Sequence, residues 1–383
     1  MDNKKTDKKI RVLTVIRHST GGLRTYLKYT YNCLDRKKYH FTVLLVRAEE
    51  IEQVKADLHD LCPEFVEVES FEFPFVRGLL ESFWGREVDI IHSQGYSCGV
   101  LVSLLNLMFG IPHIITLHGT FDEAVFRGRY ASLKRRIIAF LLSRADAVNV
   151  VSEDAKVNLL EYFPRFTRCL SKIVVIENGI DVDWFRENVR PQKRLTDIEG
   201  IEEDSIVIGY LGRYMPEKGF PVLIDAIERL ERSEEAIKKN LKVLALGWGA
   251  YIREYQALIS GKALNKFFVF IEFQPDVRWV LRQIDVLVIP SLREAFPLIA
   301  AEGLVCGAPI IASDCIGLRE ALRGTPARLV KAGEPRELAD AIIDMMRHPK
   351  KQEAKDFISV AINRFDVKIT AGKLDSLFET LAQ

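Results

Sequence analysis

Two glutamates, Glu294 and Glu302, flank an apolar run in the stretch EAFPLIAAEG, with seven residues between them. A carboxylate can accept hydrogen bonds from two neighbouring hydroxyls, so such a pair can hold hydroxylated groups on either side of a ligand. The competing interpretation is a loop glutamate and a solvated helix glutamate without chemistry. Pro297 favours the interpretation that the pair flanks a ligand. Proline is preferred at the start of a helix, and the free amides there, around Phe296 and Leu298, can hold a phosphate oxygen.

A second group of candidate residues lies about 80 residues earlier, in LGRYMPEKGF (211–220). Gly212 permits a tight turn after an apolar strand, Arg213 follows it, and Pro216 is expected to open a helix with Lys218 in its first turn. A cation at that position opposes the helix dipole, which indicates that an anion compensates it. The two cations are therefore predicted to neutralise a bound phosphate, and no metal ion is required.

The spacing of the two glutamates predicts what surrounds that phosphate. Glu302 lies five residues past Pro297, which corresponds to roughly 7 to 8 Å along a helix at 1.5 Å per residue. Glu294 precedes the helix and stands beyond the phosphate-binding amides. We therefore expect a sugar at Glu294 and a ribose at Glu302, an arrangement that fits a nucleotide diphosphate sugar.

The composition is that of an ordinary globular protein. The 383 residues are 48% hydrophobic and 28% charged, with a formal net charge of +1, which gives no general attraction to nucleic acid. The cysteines show no metal-binding spacing and indicate free thiols in a reducing compartment: Cys33, Cys62, Cys98, Cys169, Cys306 and Cys315. No apolar run reaches the roughly 18 to 20 residues that span a bilayer, and no secretory segment follows the polar start MDNKKTDKK. We therefore expect a cytoplasmic protein without a structural metal.

Short β-branched runs alternate with helical patterns along the chain, which predicts parallel sheets covered by helices on both faces. The predicted strands are 11–16, 41–46, 88–92, 113–118, 147–152 and 172–177 in the first half, and 205–212, 242–247, 267–272, 285–291 and 308–313 in the second. The polar stretch 178–205 is the predicted linker. The expected fold class is α/β, with Rossmann-like, doubly wound domains at 1–180 and 181–365 facing a central cleft, and a final helix, 366–383, that returns to the first domain.

The order and spacing of these motifs resemble the retaining glycosyltransferases of family four, which have the two-domain GT-B fold. The resemblance rests on E-x7-E after a strand, on GR-x4-KG before it, and on further segments along nearly the whole chain. These are GG at 21–22, DIIHSQG at 89–95, TLHGTF at 116–121, ADAVNVVSE at 145–153, IENGIDVDWF at 176–185 and LALGWGAYIREYQAL at 244–258. Each segment alone is weakly specific, and their combination carries the resemblance.

The resemblance implies that the second domain binds the donor substrate. Arg213 and Lys218 would bind the donor diphosphate, Glu294 the transferred sugar and Glu302 the ribose hydroxyls. The cations would stabilise the leaving diphosphate, and that phosphate would help to deprotonate the acceptor on the same face of the sugar. The implied reaction is transfer of a glycosyl unit with retention at the anomeric carbon, without a cofactor or a metal. It would serve bacterial polysaccharide, glycolipid or related glycoconjugate synthesis.

Backbone amides would complete the site for the diphosphate. The resemblance points to the amides of Phe296 and Leu298, on either side of Pro297, which itself has no N–H to donate. It also points to the Gly21-Gly22 loop of the first domain. A simple strand-to-helix turn is the alternative explanation of these two glycines.

The acceptor side of the site is expected in the first domain. His118 ends an apolar strand, and Gly119 after it allows a ligand to approach closely. A hydrogen-bonded core histidine is the alternative, whereas the family pattern T-x-H-G implies that His118 contacts the transferred sugar. Gln94 departs from the family, which often has a second histidine there, and it joins Arg24 and Thr120 as a weaker acceptor-side candidate. The acceptor itself is a saccharide, a lipid-linked or a small hydroxyl compound.

Three other functions remain open at this stage. A nucleotide-sugar epimerase or hydrolase would keep the diphosphate site but needs an acid and a base around the sugar, and no such cluster is evident besides His118. A non-catalytic nucleotide-sugar-binding subunit is a second alternative. A dinucleotide dehydrogenase is the weakest, because Gly247-Trp248-Gly249 supplies only part of the glycine motif.

A basic segment at 126–142, FRGRYASLKRRIIAFLL, raises the question of membrane contact. Its cations, Arg127, Arg129, Lys134, Arg135 and Arg136, lie beside an apolar face that can rest on an anionic bilayer. The alternative is the solvated face of a packed helix. Peripheral contact with the inner face of the cell membrane is therefore a second expectation about location.

Overall fold

A computed structural model describes residues 8–18, 20–47, 51–187, 193–233 and 240–383. The chain divides into two compact units. The first is formed by the chain up to Gly179 together with Val367–Gln383, and the second by Ile180–Asp366. The two divisions lie within one residue of the boundaries at 180/181 and 365/366 that the sequence indicates.

The first unit contains a seven-stranded parallel sheet. Its strands are β1 (Ile10–Ile16), β2 (Tyr39–Val46), β3 (Glu64–Val68), β4 (Ile90–Gln94), β5 (His113–Leu117), β6 (Ala147–Val150) and β7 (Ile173–Val175), in the order β3-β2-β1-β4-β5-β6-β7. The helices are α1 (Gly22–Asn32), α2 (Ile51–Asp57), α3 (Phe73–Gly85), α4 (Tyr96–Asn106), α5 (Ala131–Ser143) and α6 (Glu153–Tyr162), with 3-10 segments at His59–Leu61, Glu123–Phe126 and Pro164–Lys172. The strand order reverses between β1 and β4, and sheets of this kind bind ligands at the carboxyl ends of the strands at such a point.

Polar side chains occupy the central strands of this sheet towards their carboxyl ends. Thr14 of β1 stands opposite His92 of β4, and Gln94 stands opposite Thr116 of β5, which in turn faces Asn149 of β6. All five are buried. Because a buried polar group needs a hydrogen-bond partner, this register predicts a polar network inside the first unit.

The second unit contains a six-stranded parallel sheet. Its strands are β8 (Ile206–Leu211), β9 (Leu241–Leu246), β10 (Phe268–Ile271), β11 (Val286–Ile289), β12 (Ile310–Ser313) and β13 (Arg328–Val330), in the order β10-β9-β8-β11-β12-β13. The helices are α7 (Val182–Arg186), α8 (Phe220–Arg232), α9 (Ile252–Gly261), α10 (Arg278–Leu281), α11 (Leu298–Cys306), α12 (Leu318–Ala321), α13 (Pro335–Arg347), α14 (Lys351–Asp356) and α15 (Ile358–Phe365), with 3-10 segments at Leu195–Asp197, Pro216–Lys218 and Asn265–Phe267. Here the order reverses between β8 and β11, the two strands that precede the predicted phosphate-binding residues.

The last helix, α16 (Val367–Ala382), belongs to the first unit. Its Phe378 is fully buried, and the ring centroid of Phe378 lies 5.6 Å from that of Tyr39. Lys38 Nζ donates to both carboxylate oxygens of Asp375 at 2.8 Å, and Tyr39 Oη donates to Oδ1 of the same residue at 2.6 Å. An aromatic contact and a charged cluster therefore attach the end of the chain to β2.

All eleven predicted strands are present, with ends shifted by at most two residues. The sequence did not predict β3 and β13, which are edge strands of their sheets. β3 carries Glu64 and Glu67 and is mostly half-buried or exposed, whereas β13 has only three residues. Both lack the continuous apolar run by which the other strands were recognised. The edge position alone is not the cause, since the edge strands β7 and β10 keep such a run and were predicted.

The predicted linker at 178–205 is partly helical. The side chain of Asp181 accepts a hydrogen bond from Trp184 N at 3.0 Å and so begins α7. The Arg278 guanidinium lies 3.9 Å from the centroid of the Trp184 ring and donates to the Trp184 carbonyl at 2.6 Å. This part of the stretch is therefore attached to the second unit, while residues 188–192 lie outside the described residues.

No helix in the described ranges is long and apolar enough to cross a bilayer. Within the same ranges, no group of three or more His, Cys, Asp or Glu side chains converges in a way that could hold a metal ion. All six cysteines are free thiols. The cytoplasmic location and the independence from metal stay predictions.

Candidate functional site

The segment that carries Lys218 differs from the sequence prediction. Pro216–Lys218 form a single 3-10 turn, and Gly219 follows with a φ of 67°, in the left-handed region. The helix α8 begins only at Phe220, with Pro221 in its first turn. The prediction that Pro216 opens the helix and that Lys218 lies in its first turn is therefore wrong, because the left-handed glycine separates the two segments.

Gly219 also brings this turn into contact with the loop after β11. A Cβ atom on Gly219 would lie 1.9 Å from the carbonyl oxygen of Pro290, so the two backbones approach at a distance that only glycine allows. Leu292 N donates to the carbonyl of Glu217 at 2.9 Å. The turn after β8 and the loop after β11 are thus held together by their backbones.

The side chains of Lys218 and Glu294 form an ion pair across this contact. Lys218 Nζ donates to Glu294 Oε1 at 2.6 Å, and Ser291 Oγ donates to the same oxygen at 2.8 Å. The side chains of Lys218 and Glu294 are 24% and 11% exposed, and Ser291 is buried. No hydrogen bond from another described residue reaches Oε2 of Glu294. In the unliganded chain, the anion that compensates Lys218 is therefore Glu294.

Two further contacts hold the loop that carries Glu294. Ser313 Oγ, at the end of β12, donates to the carbonyl of Ser291. Gly317, with a φ of 77°, lies so close to the loop that a Cβ atom there would be 2.4 Å from the Ala295 carbonyl oxygen. The carboxylate of Glu294 is thus positioned by the ends of three neighbouring strands, β8, β11 and β12.

Arg213 follows β8 in the same turn. Its carbonyl accepts a hydrogen bond from Tyr210 Oη at 3.0 Å, which fixes the backbone at this position. The side chain of Arg213 is partly exposed. Within the part of the chain that the structure describes, no hydrogen bond or ion pair engages its guanidinium. An anion can therefore bind Arg213 without displacing a partner from the described residues.

The helix α11 follows Glu294 as predicted, with one difference at its start. Pro297 has an extended backbone (φ −82°, ψ 113°) and caps the helix, so it precedes the first helical position, which Leu298 occupies. Phe296, Pro297 and Leu298 are buried. The first amides of a helix have no acceptor inside the helix, which leaves the amides of this nine-residue helix suited to an anion. Gly307 closes the helix in the left-handed conformation.

Glu302 lies inside α11 and is only 8% exposed. Burial raises the pKa of its carboxyl group to about 7, because the charged form loses its hydration. The competing interpretation of Glu302 as a solvated helix residue is therefore wrong. A buried carboxyl group of this kind is stabilised in its charged form when a ligand donates hydrogen bonds to it.

The glycines of Gly247-Trp248-Gly249 have a packing role. A Cβ atom on Gly247 would lie 2.0 Å from the Gly212 carbonyl oxygen, and one on Gly249 would lie 2.6 Å from the backbone nitrogen of Tyr214. Tyr214 N donates to the Trp248 carbonyl at 2.9 Å. The tripeptide therefore supports the turn that carries the cations, which explains its glycines without a dinucleotide.

His118 belongs to a buried network at the carboxyl ends of β4 and β5. Its Nε2 lies 2.7 Å from Gln94 Oε1, and Gln94 Nε2 donates to Tyr31 Oη at 3.1 Å. Tyr31 Oη lies 2.7 Å from His92 Nδ1, and His92 Nε2 lies 2.7 Å from Thr116 Oγ1. The network predicted from the strand register is therefore present, and it extends to α1 through Tyr31.

The contact with Gln94 fixes the tautomer of His118. Because Gln94 Nε2 donates to Tyr31, the amide oxygen faces His118, and an oxygen of this kind only accepts. His118 Nε2 therefore carries the proton, and Nδ1 is left as an acceptor. Burial lowers the pKa of His118 to about 3, so the ring is neutral at physiological pH. A neutral imidazole with an acceptor nitrogen can receive a hydrogen bond from a substrate hydroxyl.

The glycines predicted near the start of the chain lie at the start of α1. Gly21 caps this helix with a φ of 62°, and Gly22 is its first residue, with open space where a Cβ atom would stand. Arg24 Nε donates to Asp57 Oδ2 at 2.6 Å. The guanidinium of Arg24 is thus engaged within the first unit, whereas Gly22 is exposed.

Gly119 and Thr120 follow His118 in the loop after β5. Gly119 is exposed and leaves open space where a Cβ atom would stand. The hydroxyl oxygen of Thr120 is buried and has no hydrogen-bond partner among the described residues. Both residues follow His118 directly in the sequence, where the chain leaves β5.

Four residues of these two clusters were missed by the sequence interpretation: Ser291, Tyr31, His92 and Thr116. Ser291 stands three residues before Glu294 at a strand end, a position that gives a weak sequence signal. The other three come from α1, β4 and β5, and only the fold brings them together. Among the predicted residues, side-chain contacts join Lys218 with Glu294 and Gln94 with His118. The first unit contains Gly21, Gly22, Arg24, Gln94, His118, Gly119 and Thr120, and the second contains Arg213, Lys218, Glu294, Phe296, Pro297, Leu298 and Glu302.

Comparison with known proteins adds to this geometry. Residues 20–184 match the family model described as Glycosyltransferase Family 4, and residues 191–364 match the model described as Glycosyl transferases group 1. The D-inositol 3-phosphate glycosyltransferase of Geodermatophilus obscurus is 28% identical over 272 residues, which cover 66% of this chain and 58% of that protein. The protein of the same name from Corynebacterium efficiens is 28% identical over 325 residues, 79% of this chain and 74% of that protein.

Solved structures show the same fold. The crystal structures of HepE of Anabaena, in complex with UDP and glucose and in complex with UDP-glucose, each match with a TM-score of 0.80. The sequence identity is 20%, and the match covers 97% of this chain and 100% of that protein. At this identity the likeness concerns the arrangement of strands and helices.

Proposed function

We propose that this chain, a glycosyltransferase of the GT-B fold similar to family four, moves a sugar from a nucleotide diphosphate sugar to an acceptor hydroxyl with retention at the anomeric carbon. The observation that carries the proposal is the ion pair of Lys218 and Glu294, which Ser291 supports, beside the start of α11. It places a cation, a carboxylate and free helix amides together. These are the groups that a sugar attached to a diphosphate requires.

The donor diphosphate binds the two cations and the start of α11. An ammonium group has three donors, so Lys218 can keep its contact with Glu294 and still bind a phosphate oxygen. Arg213 binds a second phosphate oxygen, since its guanidinium is not engaged by the described residues, and the amides near Phe296 and Leu298 bind a third. Together they stabilise the negative charge that develops on the leaving diphosphate.

The two carboxylates bind hydroxyl groups of the donor. Oε1 of Glu294 already accepts two hydrogen bonds, which leaves Oε2 for a hydroxyl of the transferred sugar. Glu302 accepts from the ribose hydroxyls. Burial destabilises the charged form of this carboxyl group and raises its pKa. Hydrogen bonds from the ribose hydroxyls would stabilise that charged form.

His118 binds the transferred sugar through Nδ1, the acceptor nitrogen that Gln94 leaves unprotonated. In the transfer step, the acceptor oxygen forms the new bond to the anomeric carbon as the bond to the diphosphate breaks. The proton of the acceptor hydroxyl passes to the leaving phosphate oxygen on the same face. Neither a general acid nor a metal ion is needed, so positioning and electrostatics supply the catalysis.

Uridine diphosphate is the first nucleotide to test, because HepE was crystallised with it and with UDP-glucose. We propose a saccharide, a lipid-linked or another hydroxyl compound as the acceptor, within bacterial polysaccharide or glycoconjugate synthesis. UDP, GDP and ADP are compared first by thermal stabilisation. A ligand at 100 times its dissociation constant adds about 2.7 kcal/mol to the free energy of unfolding.

Donor turnover is then measured in Lys218→Met and Glu294→Gln. Each should lower turnover on the order of a hundredfold or more, since each removes a group that acts on the transferred sugar or its leaving diphosphate. The matched control is the exposed ion pair of Lys331 and Glu334 in the same unit, 3.4 Å apart, changed to Met and Gln. Near-normal turnover in both site variants contradicts the proposal. Rapid donor consumption without any acceptor indicates a hydrolase, and no nucleotide binding indicates a non-catalytic protein.

A further inference from the structure

The outward face of α5 carries apolar side chains that no described element covers. Leu133, Ile137 and Phe140 are 55%, 48% and 55% exposed, and their spacing places them on one side of the helix. Tyr130, which precedes the helix, is 70% exposed. The opposite side of α5, with Ile138, Leu141 and Leu142, is buried in the first unit. We call the four exposed residues the α5 stripe.

The segment that carries the α5 stripe contains cations and no acids. Between Glu123 and Asp146 there is no Asp or Glu, whereas there are six cations: Arg127, Arg129, Lys134, Arg135, Arg136 and Arg144. The sequence interpretation treated five of them alike, but in the structure some of these cations have partners within the chain and others do not. Lys134 Nζ donates to the Val125 carbonyl at 2.6 Å, and the Arg135 guanidinium lies 4.9 Å from the centroid of the Phe126 ring.

Arg127, Arg129 and Arg136 are different. All three are exposed, and no ion pair or hydrogen bond joins their guanidinium groups to another described residue. Arg144 lies 5.9 Å from the centroid of the Phe140 ring, at the other end of the stripe. The segment 127–144 therefore combines a narrow exposed apolar band on α5 with exposed cations whose charges are not neutralised within the described chain.

We infer that the α5 stripe docks on an anionic lipid bilayer. Leucine, isoleucine and phenylalanine of such a face enter the boundary between headgroups and acyl chains, while the flanking arginines bind anionic headgroups. Arginine suits this position, because its guanidinium binds phosphate with two parallel hydrogen bonds. The inference does not depend on the proposed transfer reaction, since none of these residues is a candidate site residue.

A second copy of the chain is a less suitable occupant of this face. In a two-fold symmetric dimer the same patch meets itself, so Arg129 and Arg136 would approach the same residues of the other copy. No acid of the segment 124–145 could neutralise them. Like charges brought together in this way oppose association, whereas an anionic membrane attracts every one of these cations.

The test is sedimentation of the full chain with vesicles at about 0.1 M salt, where surface charges are screened over roughly 10 Å. We expect binding to vesicles of phosphatidylcholine with one-third phosphatidylglycerol and little binding to phosphatidylcholine alone. Leu133→Ser with Phe140→Ser should weaken binding by at least about tenfold, because two half-exposed apolar side chains no longer enter the bilayer. The apolar control is Val157→Ser on α6, a residue that is 50% exposed.

The charge variant is Arg129→Gln with Arg136→Gln. Each exposed arginine near the surface contributes about fivefold, so the pair should weaken binding on the order of 20-fold. The control changes Arg336 and Lys373, exposed cations of α13 and α16, to Gln and should bind like the unchanged chain. Circular dichroism melting of every variant identifies any loss of fold.

Each outcome decides the inference. Loss of binding in both the stripe variant and the charge variant, with unchanged melting and unchanged controls, supports it. No binding of the unchanged chain to the anionic vesicles overturns it. Equal loss in the control cation variant indicates general attraction of the whole protein and also overturns it. A dimer in size-exclusion chromatography with light scattering that Leu133→Ser and Phe140→Ser abolish, without vesicle binding, assigns the face to a second copy instead.

Discussion

Lys218 Nζ and Glu294 Oε1 lie 2.6 Å apart, although 76 residues separate them in sequence. The contact forms because Gly219 lets the turn after β8 touch the loop after β11, so the two charges meet at the switch point of the sheet. Ser291 donates to the same carboxylate oxygen and thereby limits how the glutamate can rotate. The relationship gives Ser291 a positioning role that can be tested.

Ser291→Ala should lower turnover about fivefold while donor binding changes little, because one hydrogen bond to a charged group is lost and the cations are retained. Measurement of kcat and of donor KM separates the two effects. The control is Ser233→Ala in the same unit, whose hydroxyl donates to the Leu230 carbonyl. A rise in KM with unchanged kcat would show that Ser291 serves binding alone.

Glu302 should make donor binding depend on pH. Burial raises its pKa to about 7. If Glu302 accepts from the ribose hydroxyls as proposed, the donor binds the charged form, and below that pH a proton must leave before the donor binds. Nucleotide affinity is expected to fall by about tenfold from pH 8 to pH 6. Calorimetry in two buffers of different ionisation enthalpy should detect proton release near pH 6.5. Glu302→Gln should abolish both the release and the pH dependence.

The same carboxyl group should affect stability in the unliganded chain. Its pKa is raised from 4.5 to about 7 by burial, so the unfolded state loses the proton first as the pH increases. The contribution of Glu302 to the free energy of unfolding is therefore largest below pH 4.5. It falls by roughly 3 kcal/mol as the pH rises from 4.5 to about 7. Urea unfolding of Glu302→Gln at pH 5 and pH 8 should show a smaller difference than the unchanged chain.

Gln94→Leu should lower turnover roughly tenfold to a hundredfold, since it removes the acceptor that fixes the tautomer of His118. Nitrogen NMR of the labelled imidazole gives an independent measure, with the proton on Nε2 in the unchanged chain and a mixture of tautomers in the variant. The control is Gln352→Leu on α14, an exposed glutamine that donates to Asp356 at 2.7 Å. An unchanged NMR signal together with lost activity would contradict the positioning role.

Gly219→Ala should destabilise the second unit by about 2 kcal/mol or more. Its φ of 67° disfavours a side chain, and a Cβ atom would collide with the Pro290 carbonyl oxygen. Nucleotide binding should weaken as well, because Lys218 moves with the turn. Gly372→Ala in α16 is the matched control, since nothing lies within 4 Å of a Cβ there and alanine favours the helix. Equal stability of both variants, by urea unfolding, would be the contrary result.

The strands were predictable wherever helices cover them on both faces. Runs such as Val286–Ile289 are apolar at every position because each position is buried, and this signal is independent of distant contacts. The edge strand Glu64–Val68 has a different composition, since part of it faces solvent. Its pairing with β2 depends on the register of the sheet, which a local pattern does not contain.

In the candidate site, the sequence indicated the charged residues that the fold brings into contact, and it indicated less of the parts that position them. Lys218 and Glu294 could be recognised by type and spacing, but the sequence offered two prolines, Pro216 and Pro221, as the start of one helix. The helix begins near Pro221, because Gly219 is left-handed and ends the preceding turn. The conformation of Gly219 follows from the close approach of Pro290, which is a tertiary contact. In the same way, Ser291 and Tyr31 contribute through neighbours that only the folded chain provides.

The chain enters and leaves the second unit at adjoining points, since Ile180 N donates to the Phe365 carbonyl at 2.8 Å and Ile180 pairs with Asp366. The second unit is thus an insertion within the first. As the ribosome elongates the chain, β2 emerges early, yet Lys38 and Tyr39 meet Asp375 only after the entire insertion has been translated. The first unit therefore cannot close around β2 until the whole second unit has been synthesised, which couples the folding of the first unit to the synthesis of the second.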